Sequence, residues 1–175
     1  MIHYITPYAT DGNIGRAYNE ACSLVPAGDW ICIRDGDTMF ATPNWGRHIE
    51  QVVQKYGESY DLFGAMTNRV GINEQCLPDM FYELSLRRHH EVSRLLEMGG
   101  PSVEAYSGTV AGFFMLFSKE TWDKHPFIED RKRARLFDVY FSRSIKRKAI
   151  IKSLYLIHLY RLWSNTPKTE IGHLI

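Results

Sequence analysis

Apolar residues along the chain follow two different periods, and each period predicts a different kind of element. From Ile14 to Val25 they recur every three or four positions, which predicts a helix with one buried face. Trp30 to Ile33 is a short, continuous apolar run between turn residues, which is typical of a strand covered on both faces. Thr42 and Pro43 predict the start of a second helix that ends at Gly57, since a hydroxyl caps a first turn and proline fits it.

The rest of the chain repeats this alternation of strands and helices. Further strands are predicted at residues 2–8, 60–66, 103–106, 112–117 and 150–162. Further helices are predicted at 79–98, 118–124 and 136–148, and the charged stretch 87–91 is expected to face solvent. This order indicates the α/β class, with one domain over 1–162, a mixed sheet flanked by helices on both faces, and a C-terminal tail over 163–175.

Length and composition favour one compact domain and exclude little else. The 175 residues are 45% hydrophobic, enough for one substantial core, and a net charge of +1 argues against a nucleic-acid partner. Cys22, Cys32 and Cys76 are an odd number without CxxC spacing, which favours reduced thiols. The chain shows neither a signal peptide nor a long apolar run, so a cytoplasmic location is expected. The C-terminal third mixes basic and apolar residues, and this keeps a peripheral membrane contact as an alternative.

An acidic turn follows the apolar strand at Asp35-Gly36-Asp37. The carboxyl ends of strands are where open α/β sheets usually bind ligands. Two carboxylates offer the hard oxygen ligands that Mg²⁺ or Mn²⁺ prefers, and a cation so held can bridge a nucleotide diphosphate. Gly36 allows the backbone to approach such a ligand closely. The alternative is an ordinary surface turn, because Asp and Gly are common turn formers.

The segments 13–21 and 28–37 together resemble the donor half of family 2 glycosyltransferases of the GT-A fold. In that family a glycine-led helix that carries an Asn precedes an apolar strand and a DxD metal motif; the Asn corresponds to Asn19 here. The segments 112–122 and 126–129 resemble the acceptor-side strand, short helix and turn of the family. The resemblance covers most of residues 1–160 in the same order.

Two further residues match the family pattern near the end of the chain. Asp138, in 136–143, corresponds to the catalytic base, of whose usual acidic pair only this residue is present. His158 corresponds to a late histidine that completes the metal shell or contacts the diphosphate. Each also has a simpler interpretation: Asp138 as an acid that stabilises a helix N-terminus, and His158 as a strand histidine with satisfied hydrogen bonds.

The resemblance also implies where a nucleotide would bind. The donor-binding candidates, which come from the end of the first strand, the next turn, the first helix and the acidic turn, are Thr6, Pro7, Tyr8, Asp11, Asn19, Asp35 and Gly36. The chain departs from the family here, because the second strand, which ends in a base-reading acid, is missing. Asp11 is the candidate substitute for that acid.

The implied function is transfer of a sugar from a UDP- or GDP-sugar to a saccharide or other hydroxyl acceptor, with inversion. Mn²⁺ or Mg²⁺ would bind Asp35, Asp37 and His158, while Asp138 takes a proton from the acceptor. The basic run within 131–135 is a candidate lid, with a solvated loop as the alternative. Candidates for acceptor contacts, all but the first of them aromatic, are Met80, Phe81, Tyr82, Tyr106 and Trp122, with a place in the core as the alternative for most. Two rival functions stay open: a non-catalytic nucleotide- or sugar-binding relic of the fold, and a sugar-phosphate nucleotidyltransferase.

Overall fold

A computed structural model describes residues 1–130 and 136–159 as an α/β arrangement around one mixed sheet. The strands are β1 Ile2–Ile5, β2 Trp30–Arg34, β3 Thr38–Phe40, β4 Leu62–Thr67, β5 Val103–Ala105, β6 Phe114–Ser118 and β7 Lys148–His158. The α-helices are α1 Ile14–Ser23, α2 Trp45–Tyr56, α3 Leu86–Glu97, α4 Lys119–Lys124 and α5 Phe137–Ser144. Short 3₁₀ turns occupy Asn73–Gln75 and Pro78–Met80.

The sheet has the order β1-β2-β6-β4-β7-β3, with β5 also paired to β7. β1 and β4 run parallel to β2 and β7, whereas β6, β3 and β5 run antiparallel to their neighbours. β7 organises this half of the sheet, because its eleven residues pair with β4 on one side and with both β5 and β3 on the other. The α/β class with a mixed sheet is therefore confirmed.

Both faces of the sheet are covered, and β2 shows how the sequence achieves this. Side chains alternate between the faces of a strand, so a run that is apolar at every position must be buried on both sides. Ile31 and Ile33 pack into one cluster with α1 and α5, while Cys32 packs into a second cluster with Ile49 and Val52 of α2. The two layers hold the carboxyl ends of β1, β2 and β4 at one edge of the sheet.

Two helix starts differ from the sequence prediction. The helix predicted from Thr42 begins at Trp45, after Asn44, which has a left-handed φ of 51°. Thr42 has a different partner, because its hydroxyl accepts a hydrogen bond from the Tyr155 amide at 2.9 Å. The Thr42 hydroxyl thus joins this turn to β7, and α2 begins three residues later without a side-chain cap.

The third helix is also shorter than predicted and its charged middle is not fully solvated. α3 begins at Leu86 because the Ser85 hydroxyl accepts a hydrogen bond from the Arg88 amide and caps the first turn. His89, expected in solvent, is 1% exposed and its Nδ1 lies 2.8 Å from the Tyr155 hydroxyl. This buried polar contact fixes α3 against β7.

Some sequence predictions lie at or beyond the limits of the described residues. The candidate lid in 131–135 and the tail over 163–175 lie outside them, as do residues 160–162. Within the described part of the chain, the three cysteines are unpaired thiols. No helix of that part is both long and apolar enough to cross a bilayer.

Candidate metal-binding and catalytic site

Asp37 and His158, which are far apart in the sequence, are brought together by the pairing of β3 with β7. Thr38, the residue after Asp37, lies opposite His158 in this antiparallel ladder. The Leu159 amide donates to the Asp37 carbonyl at 3.0 Å, which extends the ladder by one more bond. His158 Nε2 consequently lies 3.4 Å from Asp37 Oδ1.

The ring of His158 is oriented by the turn that follows β4. Its Nδ1 lies 2.8 Å from the Arg69 carbonyl oxygen, and a carbonyl only accepts, so Nδ1 carries the proton. The His158 amide donates to Asn68 Oδ1 at 2.7 Å, and the ring stacks on Phe113 at 5.4 Å. With Nδ1 protonated, Nε2 is the ring nitrogen that faces Asp37: it donates to the carboxylate when the ring carries both protons, and in the neutral ring its lone pair is available to a metal.

Asp35 and Asp37 occupy different electrostatic environments although one residue separates them. Burial raises the pKa of Asp35 to about 6, and the charges of Asp37 and Asp138 add to this, while His158 and a hydrogen bond from the Tyr18 hydroxyl oppose it. The hydrogen bond with His158 instead holds the pKa of Asp37 below its usual range, against a smaller effect of burial. Asp37 is therefore ionised throughout the neutral range, while Asp35 is close to its titration.

These side chains fit a divalent cation. One ligand atom each from Asp35, Asp37 and His158 lies within 4.8 Å of the other two. A cation about 2.1 Å from every ligand needs them roughly 3–4 Å apart, so these side chains would have to close in by up to about 2 Å to bind it. Two carboxylates and one imidazole are a donor set suited to Mn²⁺ or Mg²⁺, and the hydrogen bond from His158 Nδ1 to the Arg69 carbonyl already holds the ring in the orientation that a ligand needs.

Asp138 lies in the same pocket as two of these residues. The pocket has a volume of about 300 Å³, and its walls are Asp35, Val70, Ala111, Gly112, Phe113, Phe137, Asp138 and His158. Asp138, in the first turn of α5, accepts hydrogen bonds from the amides of Gly112 at 2.9 Å and Val139 at 2.8 Å. Burial raises its pKa against the opposing effect of these two bonds.

Gly112 allows this close approach of α5 to the strand. A Cβ at this position would lie 2.7 Å from the Phe137 ring and 3.0 Å from Asp138 Cβ. Gly112 and Asp138 belong to separate blocks of the family pattern, 112–122 and 136–143. In the structure the amide of one holds the carboxylate of the other.

The donor-binding candidates of the first strand lie around the start of α1 and the acidic turn. Thr6 and Tyr8 are exposed and Pro7 is partly buried. The Thr6 methyl group would be 3.7 Å from a Cβ on Gly36, so the end of β1 neighbours the acidic turn. Asp11 accepts a hydrogen bond from the Asn13 amide and forms a 3.0 Å ion pair with Arg16.

Asn19, a predicted donor contact, has a different position and role. Its Nδ2 donates to the Phe127 carbonyl and to Glu129 Oε1, and its Oδ1 accepts from Trp122 Nε1 and the Phe127 amide. A side-chain amide has two donor hydrogens and two acceptor lone pairs, so these four bonds use its capacity fully. In this conformation Asn19 is an internal clamp. To form a direct hydrogen bond with a nucleotide-sugar donor, it would have to break one of these four bonds.

The Asn19 clamp joins the segments 13–21 and 126–129, which match separate blocks of the family pattern. Asn13 caps α1 and donates to the Glu129 carbonyl at 2.8 Å. Gly15 lies so close to the Ile128 carbonyl that a Cβ would be 1.8 Å from that oxygen. α1 therefore carries three contacts that fix the segment leading towards residue 130.

Several contributors to the site were missed by sequence reasoning. Tyr18 contacts Asp35 and packs edge-on against Phe127 and Phe137, at ring distances of 5.3 and 4.8 Å. Asn68 and Arg69 orient His158 from the carboxyl end of β4, and that position was the available signal for them.

Two of the predicted acceptor contacts, Phe81 and Tyr82, stack on the Arg69 guanidinium at 4.9 and 5.4 Å. Met80 is buried and Trp122 belongs to the Asn19 clamp.

Comparison of the sequence with protein-family models and with curated proteins found no match.

Proposed function

We propose that this protein is a metal-dependent glycosyltransferase of the GT-A fold that transfers a sugar from a UDP- or GDP-sugar to an acceptor hydroxyl with inversion. The observation that carries the proposal is the convergence of Asp35, Asp37 and His158 within 4.8 Å beside Asp138. These residues come from three separate parts of the sequence: the acidic turn, the first turn of α5 and the end of β7. A surface turn alone gives no reason for a buried, oriented imidazole to meet two carboxylates.

Asp35, Asp37 and His158 would hold Mn²⁺ or Mg²⁺. When bound, the cation supplies positive charge that neutralises the departing nucleoside diphosphate. Asp37 stays ionised, and Arg69 fixes the His158 ring so that Nε2 faces the carboxylate. Tyr18 holds the Asp35 carboxylate by its hydroxyl hydrogen bond.

Asp138 would act as the base. Its oxygens accept hydrogen bonds from the amides of Gly112, Val139 and Asp138 itself, and a carboxylate has about four lone-pair positions, so about one is left for the acceptor. As the acceptor oxygen bonds to the anomeric carbon, its proton passes to Asp138 and the diphosphate leaves with the electrons of the broken bond. Burial raises the pKa of Asp138 and so makes it a stronger base than a solvated aspartate.

Binding of UDP and GDP, measured by calorimetry with and without Mn²⁺, tests the donor site. We expect metal-dependent binding in the wild type, loss of it in Asp37→Ala, and no change in Asp123→Ala, which removes an exposed acid on α4. The absence of metal-dependent nucleotide binding in the wild type would overturn the proposal.

Hydrolysis of UDP- and GDP-sugars tests the base. We expect a nucleoside diphosphate as product, and a lower rate in Asp138→Asn. Release of pyrophosphate from a sugar phosphate and a nucleoside triphosphate would favour the nucleotidyltransferase alternative. Metal-dependent binding with no turnover in the wild type would favour the non-catalytic relic.

A cytoplasmic location, proposed from the sequence, is in keeping with the unpaired thiols of Cys22, Cys32 and Cys76.

A further inference from the structure

A second cavity lies beside β3, between the start of α2 and the exposed side of α3. Its volume is about 650 Å³, more than twice that of the pocket at Asp138. We call it the α2–α3 groove. The residues that line it include Phe40, Asn44, Trp45, Arg87, His90 and Arg94. None of these residues belongs to the proposed metal and base site.

The charge of the groove is positive. Arg87, His90 and Arg94 line it with one acid, Glu91, whose carboxylate is 3.0 Å from Arg87 and 3.5 Å from Arg88. Among residues 1–130 and 136–159, the Arg94 side chain has no carboxylate within ion-pair distance. Arg87 and Arg94 are exposed, so a ligand in the groove meets guanidinium groups that match carboxylates or phosphates.

His90 adds a third polar group with a fixed direction. Its Nδ1 lies 3.2 Å from the Ala41 carbonyl oxygen and therefore donates to it. The other ring nitrogen, Nε2, is the one that can meet a ligand. The basic side of the groove thus combines one oriented ring with two guanidinium groups.

The opposite wall is aromatic. Phe40 and Trp45 stack with ring centres 4.1 Å apart and planes 7° apart, and Tyr4 packs edge-on against Trp45 at 4.9 Å. Both stacked rings are only partly buried, so they are not simply part of the core. A rigid aromatic surface next to the amide of Asn44 suits the apolar face and the hydroxyls of a sugar ring.

The groove is connected to the metal-binding residues by β3 itself. Phe40 follows Asp37 by three residues, which corresponds to roughly 10 Å along an extended strand. A short saccharide can span that distance. Because side chains alternate along a strand, Phe40 and Asp37 project to opposite faces of β3, so a chain held in the groove must pass around this short edge strand for its end to reach the acidic turn.

We infer that the α2–α3 groove binds an anionic saccharide, carrying carboxylate or phosphate groups, which is the acceptor. The guanidinium groups recognise the negative charge, and the Phe40 and Trp45 rings recognise the sugar. The role as acceptor site rests on the proposed function. The binding itself does not, and it is tested with the donor site empty.

The experiment is calorimetric titration of the full chain in EDTA, without nucleotide, at low and at high salt. The probes are trigalacturonate, which carries carboxylates, glucose 6-phosphate, which carries phosphate, and neutral maltotriose. The variant Arg94→Gln removes one charge from the groove, and Arg143→Gln removes one exposed charge from α5 as the matched control. Thermal unfolding of both variants checks that they fold.

We expect at least one anionic probe to bind, more weakly at high salt, and maltotriose to bind much more weakly or not at all. Arg94→Gln should reduce the affinity by roughly tenfold, and Arg143→Gln should leave it unchanged. Selective binding of trigalacturonate or of glucose 6-phosphate identifies the charged group. The inference is wrong if neither anionic probe binds, if maltotriose binds equally well, or if the two variants have equal effects. None of these results depends on metal or nucleotide binding, so the proposed function is tested separately.

Discussion

Replacement of Asp35 by Asn should make the protein more stable while it removes a proposed metal ligand. Burial raises the pKa of Asp35 in the folded protein to about 6, above its ordinary value of 3.8. A group whose folded pKa is raised binds its proton more tightly when folded, so its ionisation opposes folding. The opposition is absent below about pH 4, grows as the pH rises towards 6, and is complete above that.

The size of this effect follows from the two pKa values. A folded pKa of about 6 against 3.8 corresponds to roughly 3 kcal/mol at pH 7.5. Asp35 keeps some solvent contact, which screens the effect, so we expect a gain of about 1–3 kcal/mol for Asp35→Asn. For a chain of this size that raises the midpoint of thermal unfolding by roughly 2–10 °C. The asparagine carbonyl still accepts the Tyr18 hydrogen bond.

Urea unfolding in EDTA at pH 7.5 and at pH 4 measures the change. The gain should be present at pH 7.5 and should almost disappear at pH 4, where Asp35 is protonated in the wild type. Asp37→Asn is the matched control with the opposite sign, since His158 lowers the pKa of Asp37 and its charge therefore favours folding. A pH-independent gain, or a loss of stability in Asp35→Asn at pH 7.5, would refute the electrostatic reasoning.

Three further predictions concern the same region. Tyr18→Phe keeps the ring packing but removes the hydrogen bond to Asp35, so Mn²⁺ affinity measured by paramagnetic resonance should fall by roughly 10–100-fold with little loss of stability; unchanged affinity would contradict this. Wild-type Mn²⁺ affinity should fall as the pH drops below about 6, because Asp35 must be deprotonated to bind; a flat titration between pH 7.5 and 5 would exclude Asp35 as a ligand. Gly15→Ala should lower the midpoint of thermal unfolding by several degrees, since its Cβ would overlap the Ile128 carbonyl, whereas Gly46→Ala, which has open space, should not.

Much of the fold follows from local patterns in the sequence. Residues 30–33 of β2 and 62–66 of β4 form continuous runs without a polar side chain, which already indicates strands covered on both faces. β3 was not predicted from the sequence. Thr38–Phe40 has only three residues, and its strand geometry depends on pairing with β7 rather than on propensity. The Ser85 cap of α3 was visible in the sequence, but the apolar spacing upstream of it favoured an earlier start.

The candidate site could be predicted less completely than the fold. The acidic turn and Asp138 are recognisable as motifs, and His158 needs the family resemblance. The role of Tyr18 depends on the contact of α1 with Asp35, for which a single sequence carries no signal, whereas Arg69 was indicated only by its position after β4. At Asn19 the residue type matches the family pattern, but all the hydrogen-bonding capacity of its amide is used inside the protein.

The pairing of β3 with β7 also has a consequence for the order in which the protein folds. Asp35 and Asp37 precede most of the chain, whereas His158 is the last residue of β7. During synthesis the two aspartates leave the ribosome long before their histidine, and contacts that close such long loops form late. A divalent cation therefore cannot template the early steps of folding at this site. Its tight binding would report that β7 has docked between β4 and β3.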